Sequence, residues 1–264
     1  MNNIYEPKFV EDLFDKMSGS YARVNYISSF GFNERWRRQC IAGLNIHCQL
    51  PKRKNLTTKD AEKAQKTQRF EKAVIEESTI VVDLMTGMGE CWKYLIKEGG
   101  KSSTIIGLDF SNEMVCGAQK KKVAYNNPNI HVLNENVFNN SIPNHKADYV
   151  VSAFGLKTFN DDQLEMLADE IYRILKPRGE FSLVDVSVPK NRVLRLFYMF
   201  YLKKVIPTLG WLLLGSPETY KMLGVYTQAF GNSKKVYEIF SRKGFECGYV
   251  EYFYGCASGV KGRK

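Results

Sequence analysis

TIVVDLMTGMGE, running from Thr79 to Glu90, is the stretch whose reading decides the fold. Its first six residues are a β-branched apolar run, the composition of a strand buried on both faces of a parallel sheet. Met85 and Thr86 lead into Gly87 and Gly89, and a helical pattern follows over Cys91–Lys97. A strand that ends in a glycine turn and opens a helix presents free backbone N–H groups at the carboxyl edge of a sheet. The next apolar run, Thr104–Asp109, ends in an acid 20 residues after Gly89. A carboxylate in that place can accept hydrogen bonds from both hydroxyls of a ribose. The turn is not the G-x-G-x-x-G that cradles a pyrophosphate, because Glu90 follows it and Trp92 stands where a third glycine would fall. Asp83 and Glu90 suit a cation, and S-adenosylmethionine (SAM) carries both a sulfonium and an ammonium. SAM, leaving as S-adenosylhomocysteine, is therefore the cofactor expected. A glycine turn without a ligand is the alternative.

Outward from that stretch, strands and helices alternate. Strands are expected over Ile130–Asn134, Asp148–Ala153 and Glu180–Val186, and helices over Asn112–Tyr125 and Asp161–Leu175, the latter stopping at Lys176-Pro177-Arg178-Gly179. Such alternation calls for an α/β fold with a parallel sheet and right-handed crossovers. The chain divides into a helical cover (1–50), a basic insertion (51–77), an α/β core (78–190), a helical lid over the substrate (191–232), and a closing helix with strands (233–264). In the lid, Pro207 and Gly210 interrupt an aromatic, apolar stretch.

Composition narrows the class. With 264 residues and 44% hydrophobic residues, the chain can bury a sizeable core. No apolar run is long enough for a membrane span, and Met1–Lys16 lacks the apolar stretch of a secretory signal. The six cysteines form no CxxC pair, as expected for reduced thiols in a cytoplasmic protein. The net charge is +10, and half of it falls between Pro51 and Lys72, where eight bases meet three acids. A solvated basic surface accounts for that run, and an acidic partner is the alternative. The histidines show no metal-ligand spacing, so no metal is expected.

Four blocks carry a family resemblance. They are Phe14…Tyr21-Ala22-Arg23-Val24-Asn25…Ser29-Phe30-Gly31…Trp36-Arg37; Asp83…Gly87-Met88-Gly89 with Leu108-Asp109-Phe110-Ser111…Met114; Ala153-Phe154-Gly155-Leu156; and Arg173-Ile174-Leu175-Lys176-Pro177-Arg178-Gly179. In these the chain resembles the UbiE/COQ5 C-methyltransferases of quinone biosynthesis, within the class I SAM methyltransferases. The resemblance implies a Rossmann-like, seven-stranded, mostly parallel sheet whose last strand is antiparallel. It also implies that Asp83, Met85, Thr86, Gly87 and Gly89 line the methionine end of SAM. Asp109 would hold the ribose, with Phe110 and Met114 against adenine. Asn136 and Val137 would lie at the adenine amine, and Ser152 near the sulfonium.

Methylating a carbon of a phenol or quinol ring requires the ring oxygen to lose its proton and push electrons into the ring. The resemblance places that chemistry between the first block and the segment after the fourth strand. There the family has an Arg-Asn pair and this chain has Lys157-Thr158; the family's aspartate after the motif tyrosine is Ala22. Lysine keeps a cation but loses the forked guanidinium, which points to a shifted acceptor. The catalytic candidates are Tyr21, Asn25, Lys157 and Asp185, the last near the carboxyl end of the fifth strand. Phe154, Tyr220 and Tyr226 are expected to face a small, apolar, aromatic or polyketide-like acceptor. N- or O-methylation of a small molecule or phospholipid, and a non-catalytic partner subunit with this fold, are the alternatives. Ser152-Ala153-Phe154-Gly155 is not the Asn/Asp-Pro-Pro-aromatic pattern of base methylation, which speaks against nucleic acid. A homodimer and a peripheral membrane contact, the latter through Arg192, Arg195, Lys203 and Lys204, are left open.

Overall fold

The computed structural model describes residues 3–19, 26–27, 29–44, 46, 78–100, 102–214 and 217–264. The basic insertion, Tyr21 and Asn25 lie outside the described residues.

Strand β1 (Ile80–Leu84) is buried at all five positions. It pairs in parallel with β2 (Thr104–Asp109) on one side and β4 (Ala147–Ala153) on the other. With β3 (Ile130–Asn134), β5 (Leu175–Val186), β6 (Glu246–Tyr252) and β7 (Ala257–Arg263), the sheet has seven strands in the order β3-β2-β1-β4-β5-β7-β6. Strands β1 to β5 run parallel, and β7 pairs antiparallel with both β5 and β6. The order reverses between β1 and β4, and ligands of open α/β sheets bind at the carboxyl ends beside that switch.

Alternation along the strands assigns the two faces. Val81 and Ile105 pack with Trp92 and Leu95 of α3 (Trp92–Gly99), Ala118 of α4 (Asn112–Tyr125) and Ile41 of α2 (Phe32–Ala42). Val82, Leu84 and Leu108 face the other way, onto α5 (Asp161–Ile174) and α9 (Lys234–Arg242). There Phe181, Phe240 and Phe245 form a triangle with every ring centroid 5.0 Å from the next. Local signals set the helix starts. Ser111 caps α4 by accepting from Met114 N, and Asn160 and Gln163 form a reciprocal capping box on α5. A third cluster joins α1 (Pro7–Met17) to the segment after β5 through Leu13, Met17, Leu202, Ile206, Tyr220 and Tyr226.

Two sequence expectations need correction. Lys176–Gly179 does not separate a helix from a strand; β5 begins at Leu175, paired with Ala147, and the four residues bulge out before Glu180 pairs with Tyr149. Arg178 takes a positive φ of 66° in that bulge. Nor do Pro207 and Gly210 interrupt the helical run. After α6 (Arg192–Phe200), Tyr201–Val205 widen into a π turn, and α7 (Ile206–Leu214) continues through both residues, followed by α8 (Pro217–Phe230). The wider turn accommodates a ring that would clash with the preceding carbonyl of an α-helix. Gly210 lets α8 approach, since a Cβ there would lie 2.5 Å from the Tyr220 ring.

Because Phe240 closes the aromatic triangle and is fully buried, Phe240→Ala should cost about 3–5 kcal/mol of unfolding free energy in a urea titration. A cost below about 1 kcal/mol would mean that the triangle is not part of the cooperative core.

Candidate active site

The turn after β1 is held from inside. Thr86 Oγ1 donates to Asp83 Oδ2 at 2.5 Å, and Trp92 Nε1 donates to the same threonine oxygen at 3.0 Å. Met85, Gly87 and Gly89 all have positive φ, of 54°, 57° and 76°. At Gly89 a Cβ would lie 2.5 Å from the Trp92 ring, so the glycine permits both the turn and the indole beneath it. Gly87 N donates to Asp109 Oδ2 at 2.8 Å, and Ser111 N donates to Asp109 Oδ1 at 3.1 Å. The tips of β1 and β2 are thus joined through one carboxylate.

Three acids gather at this turn. Burial pushes the Asp83 carboxyl up to about 7; the Thr86 hydrogen bond opposes the shift, and the charges of Glu90 and Asp109 add to it. Burial likewise raises Asp109 to about 6, against the backbone hydrogen bonds from Ser111 and Gly87. Glu90 Oε2 accepts from Met88 N at 3.1 Å, while its buried Oε1 has no partner. Carboxylates crowded until they hold protons near neutrality are stabilised by a cation. An acidic turn beside a carboxylate able to take hydroxyl donors fits a ligand that carries both a positive charge and a ribose.

A cleft of about 730 Å³ opens over this turn. Met85, Gly87, Asp109, Phe110, Met114, Asn136, Val137 and Phe154 line it, so eight of the expected residues converge there. Asp83, Thr86, Gly89 and Ser152 stand behind the lining: Thr86 and Asp83 bind each other, and Ser152 Oγ is buried without a partner. Asn136 Oδ1 accepts from Phe138 N at 2.9 Å, which fixes the loop after β3.

A second cavity adjoins the first. Phe14, Phe154 and Thr158 belong to the walls of both. Phe154 holds a positive φ of 74°, and its N–H donates to Val184 O at 2.8 Å. Tyr220 and Tyr226 line this second cavity, as expected of acceptor-facing residues. Lys157 also lines it, but its Nζ lies 3.0 Å from Asp185 Oδ1 and also donates to Phe154 O. Asp185 further accepts from Lys157 N at 2.9 Å and Val186 N at 2.6 Å. The two catalytic candidates therefore bind one another and clamp the segment after β4 onto β5.

Arg37 and Trp36 were quoted in the first sequence block without a role, and both line the second cavity. The Arg37 guanidinium sits 4.8 Å over the Phe154 ring and 3.1 Å from Glu34 Oε1. Glu34 is also bound by Lys93 and by Tyr94 Oη at 2.6 Å. Burial opposes ionisation of Glu34, yet those hydrogen bonds and the charge of Arg37 hold its carboxyl below the usual value. Trp36 Nε1 is buried and has no hydrogen-bond partner. Among the described residues, the second cavity is lined by two cations and no carboxylate. Among the described residues there is also no cluster suited to a metal ion and no helix long and apolar enough to cross a membrane.

The family model of the ubiE/COQ5 methyltransferases matches residues 1–264. A demethylmenaquinone methyltransferase of Listeria welshimeri is 27% identical over 243 residues, covering 92% of this chain and 89% of that protein. The enzyme of the same name from Staphylococcus saprophyticus is 28% identical over 247 residues, covering 93% and 91%. Among solved structures, a SAM-dependent methyltransferase of Aquifex aeolicus superposes with a TM-score of 0.50 at 20% identity, over 75% of this chain and 88% of its own. The CurJ carbon methyltransferase gives a TM-score of 0.50 at 13% identity, over 75% and 51%. These two likenesses establish the fold.

Two outcomes test the cleft. Asp109→Ala should weaken SAM binding by about 2–3 kcal/mol in calorimetry, the worth of charge-assisted hydrogen bonds; unchanged affinity would remove Asp109 from the ligand. The second concerns protons. The folded chain keeps protons on Asp83 and Asp109 up to about 7 and about 6, where the unfolded chain has lost them. Unfolding then releases protons, so these groups lower stability as pH rises from the ordinary carboxylate range through that window. A bound cation favours the ionised forms, so SAM binding should expel protons near pH 6.5 and weaken as pH falls. Calorimetry in buffers of different ionisation enthalpy reads the proton count directly, and proton-neutral binding would contradict the linkage.

Proposed function

We propose that this chain, which belongs to the ubiE/COQ5 methyltransferase family and is a SAM-dependent methyltransferase, moves the methyl group onto a ring carbon of a quinol- or phenol-like acceptor. The observation that carries the proposal is the second cavity: apolar and aromatic, lined among the described residues by Arg37 and Lys157 and no carboxylate, and sharing Phe14, Phe154 and Thr158 with the acidic cleft. Relatives named demethylmenaquinone methyltransferase support an acceptor of that class.

When bound, SAM supplies an electrophilic methyl and a neutral thioether as leaving group. Asp109 would hold the ribose, and the acidic turn around Gly87 would face the positive end. Phe110, Met114, Asn136 and Val137 would enclose the adenine. On the acceptor side, ionising a ring hydroxyl makes the neighbouring ring carbon nucleophilic; the carbon–methyl bond forms as the sulfur–methyl bond breaks, and the ring carbon's own proton then leaves to water, restoring the aromatic ring. Arg37, on the cavity wall over the Phe154 ring, would hold that oxygen as an anion, and Trp36 Nε1 would donate to an acceptor oxygen. Lys157 acts through its grip on Asp185, which sets the Phe154 backbone between the two compartments. Apolar side chains around the point where the two compartments meet would keep water out of the transfer.

Incubation with methyl-labelled SAM and a panel of quinols and phenols, followed by NMR of the product, tests the proposal. Label on a ring carbon is expected. Label on oxygen or nitrogen, or no transfer while SAM still binds, would refute it. Arg37→Gln should shift the acidic limb of kcat upward by about 1–2 pH units, since an opposite charge nearby lowers a bound acceptor's pKa by that order. An unmoved pH profile would remove Arg37 from the chemistry.

A further inference from the structure

Helix α6 carries its apolar stripe on the outside. Val193, Leu196, Phe197 and Phe200 recur at spacings of three and four, and they are 66%, 69%, 67% and 59% exposed. Among the described residues of α6 none is buried. Its inner side is made by Leu194 and Tyr198, which pack on the clusters around Phe154 and Leu202. Trp211, on α7, is also exposed. Residues 191–214 hold four cations, Arg192, Arg195, Lys203 and Lys204, and no acid, and all four are exposed. Monomeric proteins rarely present so continuous an apolar stripe without a partner for it.

We propose that this outer face docks on an anionic membrane surface. The apolar stripe would enter the boundary between headgroups and acyl chains, while the flanking arginines and lysines meet lipid phosphates. Charge complementarity selects that occupant. A second copy of the chain would bring the same four cations against their equivalents, with no acid on the segment to answer them. The face is also continuous with the mouth of the second cavity. Phe30 is exposed, lines that cavity, and stacks on Tyr201 at 5.9 Å, one residue beyond the stripe. Phe253 is likewise half-exposed at the rim and packs 4.3 Å from Phe32. An acceptor with a long apolar tail could pass from the bilayer into the cavity along this rim. That route rests on the proposed acceptor class; the docking does not.

Sedimentation with vesicles of phosphatidylcholine mixed with phosphatidylglycerol, and of phosphatidylcholine alone, tests the surface. The full chain should bind the anionic vesicles and lose that binding at high salt. The double variant Leu196→Gln, Phe197→Gln should bind about tenfold more weakly or less, as two large side chains no longer enter the interface. Arg192→Gln with Arg195→Gln should weaken binding to anionic vesicles alone. Because Leu196 and Phe197 are exposed and line neither cavity, thermal unfolding and turnover of a short-tailed, soluble acceptor should be unchanged in the first variant. Equal vesicle binding by parent and first variant would overturn the proposal. So would a parent that ignores anionic vesicles but forms a dimer, by sedimentation velocity, that the same variant dissolves. Vesicle binding is read without acceptor, so failed methyl transfer with intact binding counts only against the acceptor assignment.

Discussion

The hydrogen bond from Gly87 N to Asp109 Oδ2 joins the tips of two neighbouring parallel strands, and the arrangement of both compartments depends on it. The chain after Leu84 reaches this contact through Met85, which has a positive φ, and leaves it through Gly87 and Gly89, which do as well. Met85 accepts that conformation because the turn is braced beneath by Thr86, Asp83 and Trp92. The brace buries the carboxylates, and burial, with a smaller contribution from neighbouring acids, raises Asp83 and Asp109. Buried carboxylates of this kind favour a positively charged ligand over a pyrophosphate.

A second brace fixes the other side of the dividing wall. Asp185 is fully buried and satisfied by three donors, two of them backbone or side-chain groups of Lys157. A buried pair of this kind adds little net stability, but removing one partner leaves an uncompensated charge. Its structural effect is positional. It ties the segment after β4 to the end of β5 and leaves Phe154 with a backbone conformation that few non-glycine residues adopt. The wall is therefore rigid where the two ligands would meet, with acids on one side and cations on the other. On the proposed reaction, a cation and an anion disperse their charges together as the methyl passes, and a dry, fixed wall favours that change over any step that would separate charge.

Much of the frame could be read from sequence because its signals are local. The β-branched run before Met85, the acid ending β2, and the cap at Ser111 each announce an element within a few residues. Helix α4 falls on the expected bounds, Asn112–Tyr125. The early start of β5 was hidden because Lys-Pro-Arg-Gly reads as a helix stop whether it ends in a loop or bulges out of a ladder. Pro207 misled for a related reason: a π turn supplies the room that the rule against interior proline assumes is missing. The acceptor side was harder. Arg37 lies more than a hundred residues before Phe154 in the chain, and no period links them; only the packing of α2 against β4 and β5 brings the guanidinium over that ring.

The Lys157 ammonium is engaged in holding the wall. A compact ammonium on a flexible stem can reach Asp185 and the Phe154 carbonyl from within one turn. A planar guanidinium in the same place would present its fork outward and compete for the acceptor's oxygen. With the smaller cation turned inward, the only other cation on the described cavity wall is Arg37. Its approach from the helical cover rather than from the sheet changes the direction from which an anionic oxygen would be held. The ring carbon beside that oxygen must still face Phe154, so the acceptor would be rotated about the methyl axis relative to one gripped from the sheet.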